Sequence, residues 1–70
     1  MDDRTLIANN IAELIRTSGK SQVEVARALG VTETSVCSYI AGRTVPSTLA
    51  VKKLCKILDC TYEDILGELD

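Results

Sequence analysis

The sequence has no histidine, tryptophan or phenylalanine, and its only aromatic side chains are Tyr39 and Tyr62. The core of the folded chain must therefore be aliphatic, built from leucine, isoleucine, valine and alanine. Without histidine, paired buried carboxylates, a phosphate-binding loop or a cysteine beside a base, the sequence offers none of the usual catalytic arrangements. We therefore expect no enzymatic activity and no cofactor.

Cysteines and long apolar runs are also scarce. Cys37, Cys55 and Cys60 form no CxxC motif and have no fourth soft ligand, so we expect reduced, space-filling thiols and no metal site. No apolar run approaches the ~20 residues that span a bilayer. No signal-peptide pattern opens the chain. We therefore expect a soluble cytoplasmic protein.

A length of 70 residues suits a single domain, which we assign to residues 1–70. A domain of this size buries only about 60% of its unfolded surface, so its core is small. Hydrophobic residues nevertheless make up 46% of the sequence, which favours a compact globule over a disordered chain.

The formal net charge of −2 hides a segregation of charge along the chain. Residues 1–14 carry a net charge of −2, residues 15–56 carry +5 and residues 57–70 carry −5. Because attraction for phosphate depends on local charge, the central segment suits a nucleic-acid surface despite the acidic total.

Start and stop signals place five helices, and no stretch shows the sustained period-2 alternation of a strand. Ser21 and Glu24 have the spacing of a capping box, and hydroxyl side chains are expected to cap the three helices that follow. The predicted helices run from about Arg4 to Thr17, from Ser21 to Leu29, from Thr32 to about Ala41, and onward from the caps Ser47 and Thr61.

The spacing of Ala26, Gly30 and Val36 predicts that the second and third helices form a helix-turn-helix. Two helices that cross steeply need a small side chain at their closest approach, and Ala26 supplies it. Gly30 adopts the positive φ of the turn without steric cost. Val36 is a branched apolar residue that faces back toward the preceding helix. A pair of this kind presents its second helix to the major groove of DNA.

A longer ordered set of residues extends this pattern: Ser21, Gln22, Val25, Ala26, Leu29, Gly30, Val31, Thr32, Val36, Tyr39, Gly42, Arg43, Pro46, Ser47, Leu54, Leu58, Ile65 and Leu66. With this set the chain resembles, over nearly its whole length, the phage repressor and Cro-like helix-turn-helix family that includes the lambda and 434 repressors. The resemblance implies a compact all-α domain of five helices whose third helix enters the major groove. Many members carry glutamate where this chain has Ile40, so a polar brace to the following loop is missing.

The resemblance implies that the N-terminal part of the third helix faces base edges. The base-reading candidates are therefore Glu33, Thr34 and Ser38, with Cys37 beside them. Thr34 can offer its methyl group to thymine or its hydroxyl to several bases, and Glu33 can accept a hydrogen bond from cytosine N4. An acidic residue in the first turn of a helix is also favoured by the helix dipole, whatever the helix binds.

Contacts to the DNA backbone are expected from Gln22, Ser35, Arg43 and Thr44. Gln22 lies at the start of the second helix, where its side chain and the free N–H groups can meet a phosphate. Arg43 is the clearest cationic contact. The three lysines of the fourth helix are expected on a solvated face.

These features predict a sequence-specific regulator, in the first place a repressor, that binds double-stranded DNA. Two alternatives stay open. The same fold serves antitoxins and controller proteins, which add a protein partner. A helical adaptor that has lost DNA binding would fit the low total charge.

One short recognition helix gives few contacts for a specific affinity of about 10⁻⁸ M or tighter. We therefore expect a homodimer that reads two half-sites about one helical turn apart. The expected dimer surface is the C-terminal part, around Leu66, Gly67 and Leu69. Because its apolar area is small, the dimer can depend on DNA for its formation.

Overall fold

The computed structural model describes residues 2–67, which form five α-helices and contain no strand. This architecture confirms the all-α fold predicted from the sequence. The helices are α1 (Asp3–Ser18), α2 (Gln22–Leu29), α3 (Glu33–Ala41), α4 (Thr48–Leu58) and α5 (Tyr62–Leu66).

Each helix begins at a side chain that accepts one of its free backbone N–H groups. The first helix starts one residue earlier than predicted, because the carboxylate of Asp2 accepts the N–H of Thr5 at 2.8 Å. The caps of the other four helices are the hydroxyl groups expected from the sequence: Ser21, Thr32, Ser47 and Thr61.

The end of α4 differs from the other helix ends, because its C-cap is not a glycine. Asp59 takes a left-handed conformation with φ 52°, which aspartate tolerates better than most residues. The turn is closed by the N–H of Cys60, which donates to the carbonyl of Cys55 at 3.0 Å. The chain thereby reverses into α5 without a glycine.

The core is aliphatic and lies where all five helices meet. Each helix contributes one of the largest fully buried side chains: Ile11, Val25, Val36, Leu54 and Ile65. Tyr39 is half-buried and packs against this core. In addition, α1 packs against α3 and α4 packs against α2, so these two helices support the α2–α3 pair.

The first and last helices pack against each other and close the domain. The side-chain amide of Asn10 donates to the carbonyl of Ile65 at 3.0 Å. Gly67 approaches α1 so closely that a Cβ added there would lie 2.9 Å from Cδ2 of Leu6. Leu66, a residue of the expected dimer surface, is half-buried against the core, and Leu69 lies outside the described residues.

Among residues 2–67, no helix combines the length and the apolar character needed to cross a membrane.

Candidate nucleic-acid interface

The turn between α2 and α3 has the geometry that the sequence predicted. Ala26 is only 4% exposed and sits between the two helices and the core. Gly30 has φ 77°, and its N–H donates to the carbonyl of Arg27 while the N–H of Val31 donates to that of Ala26. This pair of bonds is a Schellman motif, which ends α2 sharply and sets the direction of α3.

The outer face of α3 is polar and accessible. Glu33, Thr34 and Cys37 are exposed and Ser38 is half-buried, whereas Val36 on the opposite face is 1% exposed. The four polar side chains are one residue or about one turn apart, so they occupy one side of the helix. This side is rigid, because the other side of α3 is anchored in the core.

The first turn of α3 fixes Ser35, one of the predicted backbone contacts. The hydroxyl of Thr32 caps the helix by accepting the N–H of Ser35 at 3.2 Å. The same two residues share a hydroxyl–hydroxyl hydrogen bond of 3.1 Å. The Ser35 hydroxyl is therefore already engaged, although one hydroxyl can still accept or donate a second bond.

The loop after α3 holds Arg43 and Thr44 close to the end of that helix. The carbonyl of Ser38 accepts the N–H groups of Arg43 at 3.0 Å and of Thr44 at 3.4 Å. Both side chains are exposed. Their backbone is thus fixed by the same helix that carries the candidate base-reading residues.

A contact between the two helices was not foreseen from the sequence. Gln22, at the start of α2, accepts a hydrogen bond of 3.1 Å from the thiol of Cys37 through its side-chain Oε1. The two residues are fifteen positions apart, and only the crossing of α2 and α3 brings them together. A candidate phosphate contact and a candidate base contact are therefore neighbours.

All eight residues predicted for DNA binding lie on α3, at the start of α2 or in the loop after α3. Six basic side chains between residues 20 and 56 are exposed: Lys20, Arg27, Arg43, Lys52, Lys53 and Lys56. Of the acidic residues nearby, Glu24 is engaged in the α2 capping box, where the N–H of Ser21 lowers the pKa of its carboxyl group. The region can accept phosphate by charge and bases by hydrogen bonding.

Clusters of metal-ligating side chains and deep pockets are the features that mark other kinds of site. Residues 2–67 contain no group of three or more potential metal-ligating side chains. A shallow pocket of about 140 Å³, lined partly by Leu29, Val31 and Leu49, lies between α4 and the turn after α2. It is smaller than the roughly 300 Å³ at which small-molecule sites usually begin.

Comparisons with known proteins agree with this geometry. The helix-turn-helix family profile matches residues 11–65. The crystal structure of the restriction-modification controller protein C.AhdI from Aeromonas hydrophila is similar with a TM-score of 0.83 and 24% identity, covering 90% of this chain and 96% of that one. The hypothetical transcription factor NHTF from Neisseria has a TM-score of 0.83 and 26% identity, with 93% and 75% covered.

A relative by sequence is the antitoxin PezA from Streptococcus pneumoniae serotype 4, which is 33% identical over 63 residues. The match covers 90% of this chain but 40% of PezA, so the chain spans less than half the length of that relative. The profile match extends over most of the chain and includes the helix pair described above. The chain belongs to the Cro/C1-type helix-turn-helix family of DNA-binding transcriptional regulators.

Proposed function

We propose that this protein is a sequence-specific repressor that reads the major groove of double-stranded DNA with α3. The observation that carries the proposal is the exposed polar face of α3, fixed against the core by Val36. A rigid helix with accessible hydroxyl and carboxylate groups can discriminate base pairs by the donors and acceptors that they present.

Base reading is assigned to Glu33, Thr34 and Ser38, with Cys37 beside them on the same face. Thr34 and Ser38 lie about one turn apart and can address neighbouring base pairs. Glu33 is exposed in the first turn of α3 and can select cytosine by accepting from its N4 amine. These base contacts fix the position of α3 along the groove, and its other contacts with DNA depend on that position.

Backbone binding is assigned to Gln22, Ser35, Arg43 and Thr44. These residues border the polar face of α3, at the start of α2, in the first turn of α3 and in the loop that follows it. Phosphate contacts position a protein on the duplex and carry no sequence information directly. Arg43 supplies the charge, and the neutral side chains supply hydrogen bonds.

The DNA-bound form is proposed to be a homodimer. A single α3 of nine residues reads only a few base pairs, and a second copy related by a two-fold axis doubles the contacts. The similarity to C.AhdI and PezA supports a second candidate, in which the protein is a controller or an antitoxin and also binds a protein partner. Both candidates require the same DNA-binding face.

The function can be tested by selecting binding sites from a random double-stranded DNA library. We expect one enriched motif, with two related halves, and a mobility shift on that motif. Thr34→Ala should weaken binding to the best site by about 1–3 kcal/mol and relax preference at one or two base pairs. Thr17→Ala, an exposed threonine on α1, is the matched control and should leave the profile unchanged.

The backbone contacts are tested with Arg43→Ala on the same sites. Affinity should fall about equally for all sequences, and the slope of affinity against salt should decrease by about 1. Arg4→Ala, an exposed arginine on α1, should leave the slope unchanged. A protein that enriches no motif, or a profile that Thr34→Ala does not alter, would contradict the proposed function.

A further inference from the structure

We propose that Cys37 is a positioning residue whose thiol turns the side-chain amide group of Gln22 toward a DNA phosphate. The inference rests on the proposed function and deepens it, because it assigns a role to a residue whose direct part in base reading is untested. It starts from the 3.1 Å contact between the thiol of Cys37 and Oε1 of Gln22.

The chemistry of the two partners defines the orientation. A carboxamide has an oxygen that accepts and a nitrogen that donates two hydrogen bonds, whereas phosphate oxygens only accept. Gln22 can therefore bind a phosphate only through its nitrogen. When the thiol occupies the oxygen, the nitrogen is the end that remains for the DNA.

The positions of the residues make this division of roles possible. Gln22 is the first residue of α2, directly after the capping residue Ser21, and it is half-buried. Cys37 lies one turn beyond Glu33 on the polar face of α3 and is exposed. The contact thus joins the start of one helix to the DNA-facing side of the other.

Without a hydrogen-bond donor at position 37, the side-chain amide of Gln22 would no longer be held in this orientation. The amide group could rotate about its last side-chain bond and place its oxygen against the phosphate, where two acceptors repel. The loss should be modest, since a thiol is a weak donor. It should also be independent of the DNA sequence, because Gln22 meets the backbone.

The test is a double-mutant cycle on DNA affinity, measured by mobility shift on the selected site and on unrelated DNA. Gln22→Ala should weaken binding about tenfold, the size expected for a hydrogen bond to a charged group. Cys37→Ala should weaken it about threefold, since the lost bond is weak. Cys37→Ser keeps a donor and should stay within about twofold of the parent protein.

In the Gln22→Ala background, Cys37→Ala should have no further effect, because the side chain that it positions is gone. The salt dependence should be unchanged in every variant, since no charge is altered. Thermal melts followed by circular dichroism verify that each variant is folded; position 37 is exposed on a helix, where alanine is well tolerated.

Three outcomes would overturn the inference: full affinity for Cys37→Ala, equal losses for the serine and alanine variants, or a loss confined to particular DNA sequences. The last would place Cys37 in the groove as a base contact. A parent protein that binds no DNA would instead refute the proposed function, so the two failures are distinguishable.

Discussion

Ala26 is the residue on which the geometry of the helix pair depends most directly. It is 4% exposed and is surrounded by the core where α2 crosses α3. A larger side chain has no space to enter, so Ala26→Leu should reduce the free energy of unfolding by about 1–3 kcal/mol through overpacking. The measurement is a thermal or urea melt of the purified variant.

Ala28→Leu is the control for that substitution, because Ala28 is an exposed residue of the same helix. We expect its stability to stay within about 0.5 kcal/mol of the parent protein. If both leucine variants melted like the parent protein, Ala26 would not be at the tight crossing.

The thiol of Cys60 is expected to be unreactive near neutral pH. Burial raises the pKa of its thiol to about 11, with smaller contributions from Cys55, Asp64 and Asp59. At pH 8 the thiol is protonated and unreactive, since the thiolate is the nucleophile. Iodoacetamide should therefore label the exposed Cys37 before Cys60, and mass spectrometry of peptides sampled over time gives the order.

The same shift in pKa has a consequence for stability. The thiol loses its proton less readily in the folded chain than in the unfolded chain, whose pKa is near 9.0. Its contribution is complete below pH 9 and is lost as the pH rises toward 11. Cys60→Ala should flatten this alkaline loss of stability, and a loss as steep as in the parent protein would assign it to other groups.

The residues of the helix pair could be predicted from the sequence, but some of their contacts could not. The places of Ala26, Gly30 and Val36 follow from local requirements of a turn and a crossing. The contact between Gln22 and Cys37 depends on the angle at which two helices meet. No spacing rule encodes that angle, so the pair emerges only in three dimensions.

At the scale of the helix, boundaries followed from capping chemistry. A serine or threonine whose hydroxyl can accept the N–H of the residue three positions later is a strong local signal of a helix start. All four caps of this kind were predicted correctly. The cap at Asp2 was not predicted, because no turn residues before it mark where the first helix begins. Asp59 was missed because aspartate ends a helix in the left-handed conformation far less often than glycine.

The capping box of α2 leads to a prediction about the free energy of unfolding. Ser21→Ala removes the side chain that accepts the N–H of Glu24 at 3.1 Å. The free energy of unfolding should fall by about 1 kcal/mol, as for other N-cap replacements. Ser21→Asp keeps an acceptor and should retain most of that stability, and an equal loss in both variants would contradict a capping role. Urea melts compare the two.

Low pH should weaken the hydrogen bonding of the α2 capping box. The hydrogen bond from Ser21 lowers the pKa of Glu24 below its ordinary value of 4.5. The stabilisation is therefore present above pH 4.5 and disappears as the pH falls through the lowered pKa. Glu24→Gln should flatten this part of the acid transition of stability, and a transition unchanged by the substitution would assign it to other carboxylates.

At the scale of the whole molecule, the proposed dimer makes a prediction about the DNA. Tyr62 and Leu66 lie four residues apart on α5 and share one face; Tyr62 is 50% exposed. Tyr62→Ser should weaken binding to a two-fold symmetric site by about tenfold and leave binding to an isolated half-site unchanged. Titration followed by mobility shift and light scattering measures both.

The parent protein should bind the symmetric site as two copies per duplex. Leu49→Ser, which replaces an exposed apolar side chain on α4 without changing the charge, is the matched control and should not alter the ratio between the two sites. A one-to-one complex on the full site, with equal affinity for the half-site, would make the protein a monomeric binder.

The pairing of α1 with α5 has a consequence for how the chain folds during synthesis. Asn10 and Ile65, which it joins, are separated by 55 positions, so α1 is synthesised well before the α5 that it packs against. Until then the apolar side of α1 is exposed beside an incomplete core, and non-local pairings of this kind form slowly. The packing of α1 is therefore completed only after residue 65 has been synthesised, so the last helix of the chain closes the core around the first.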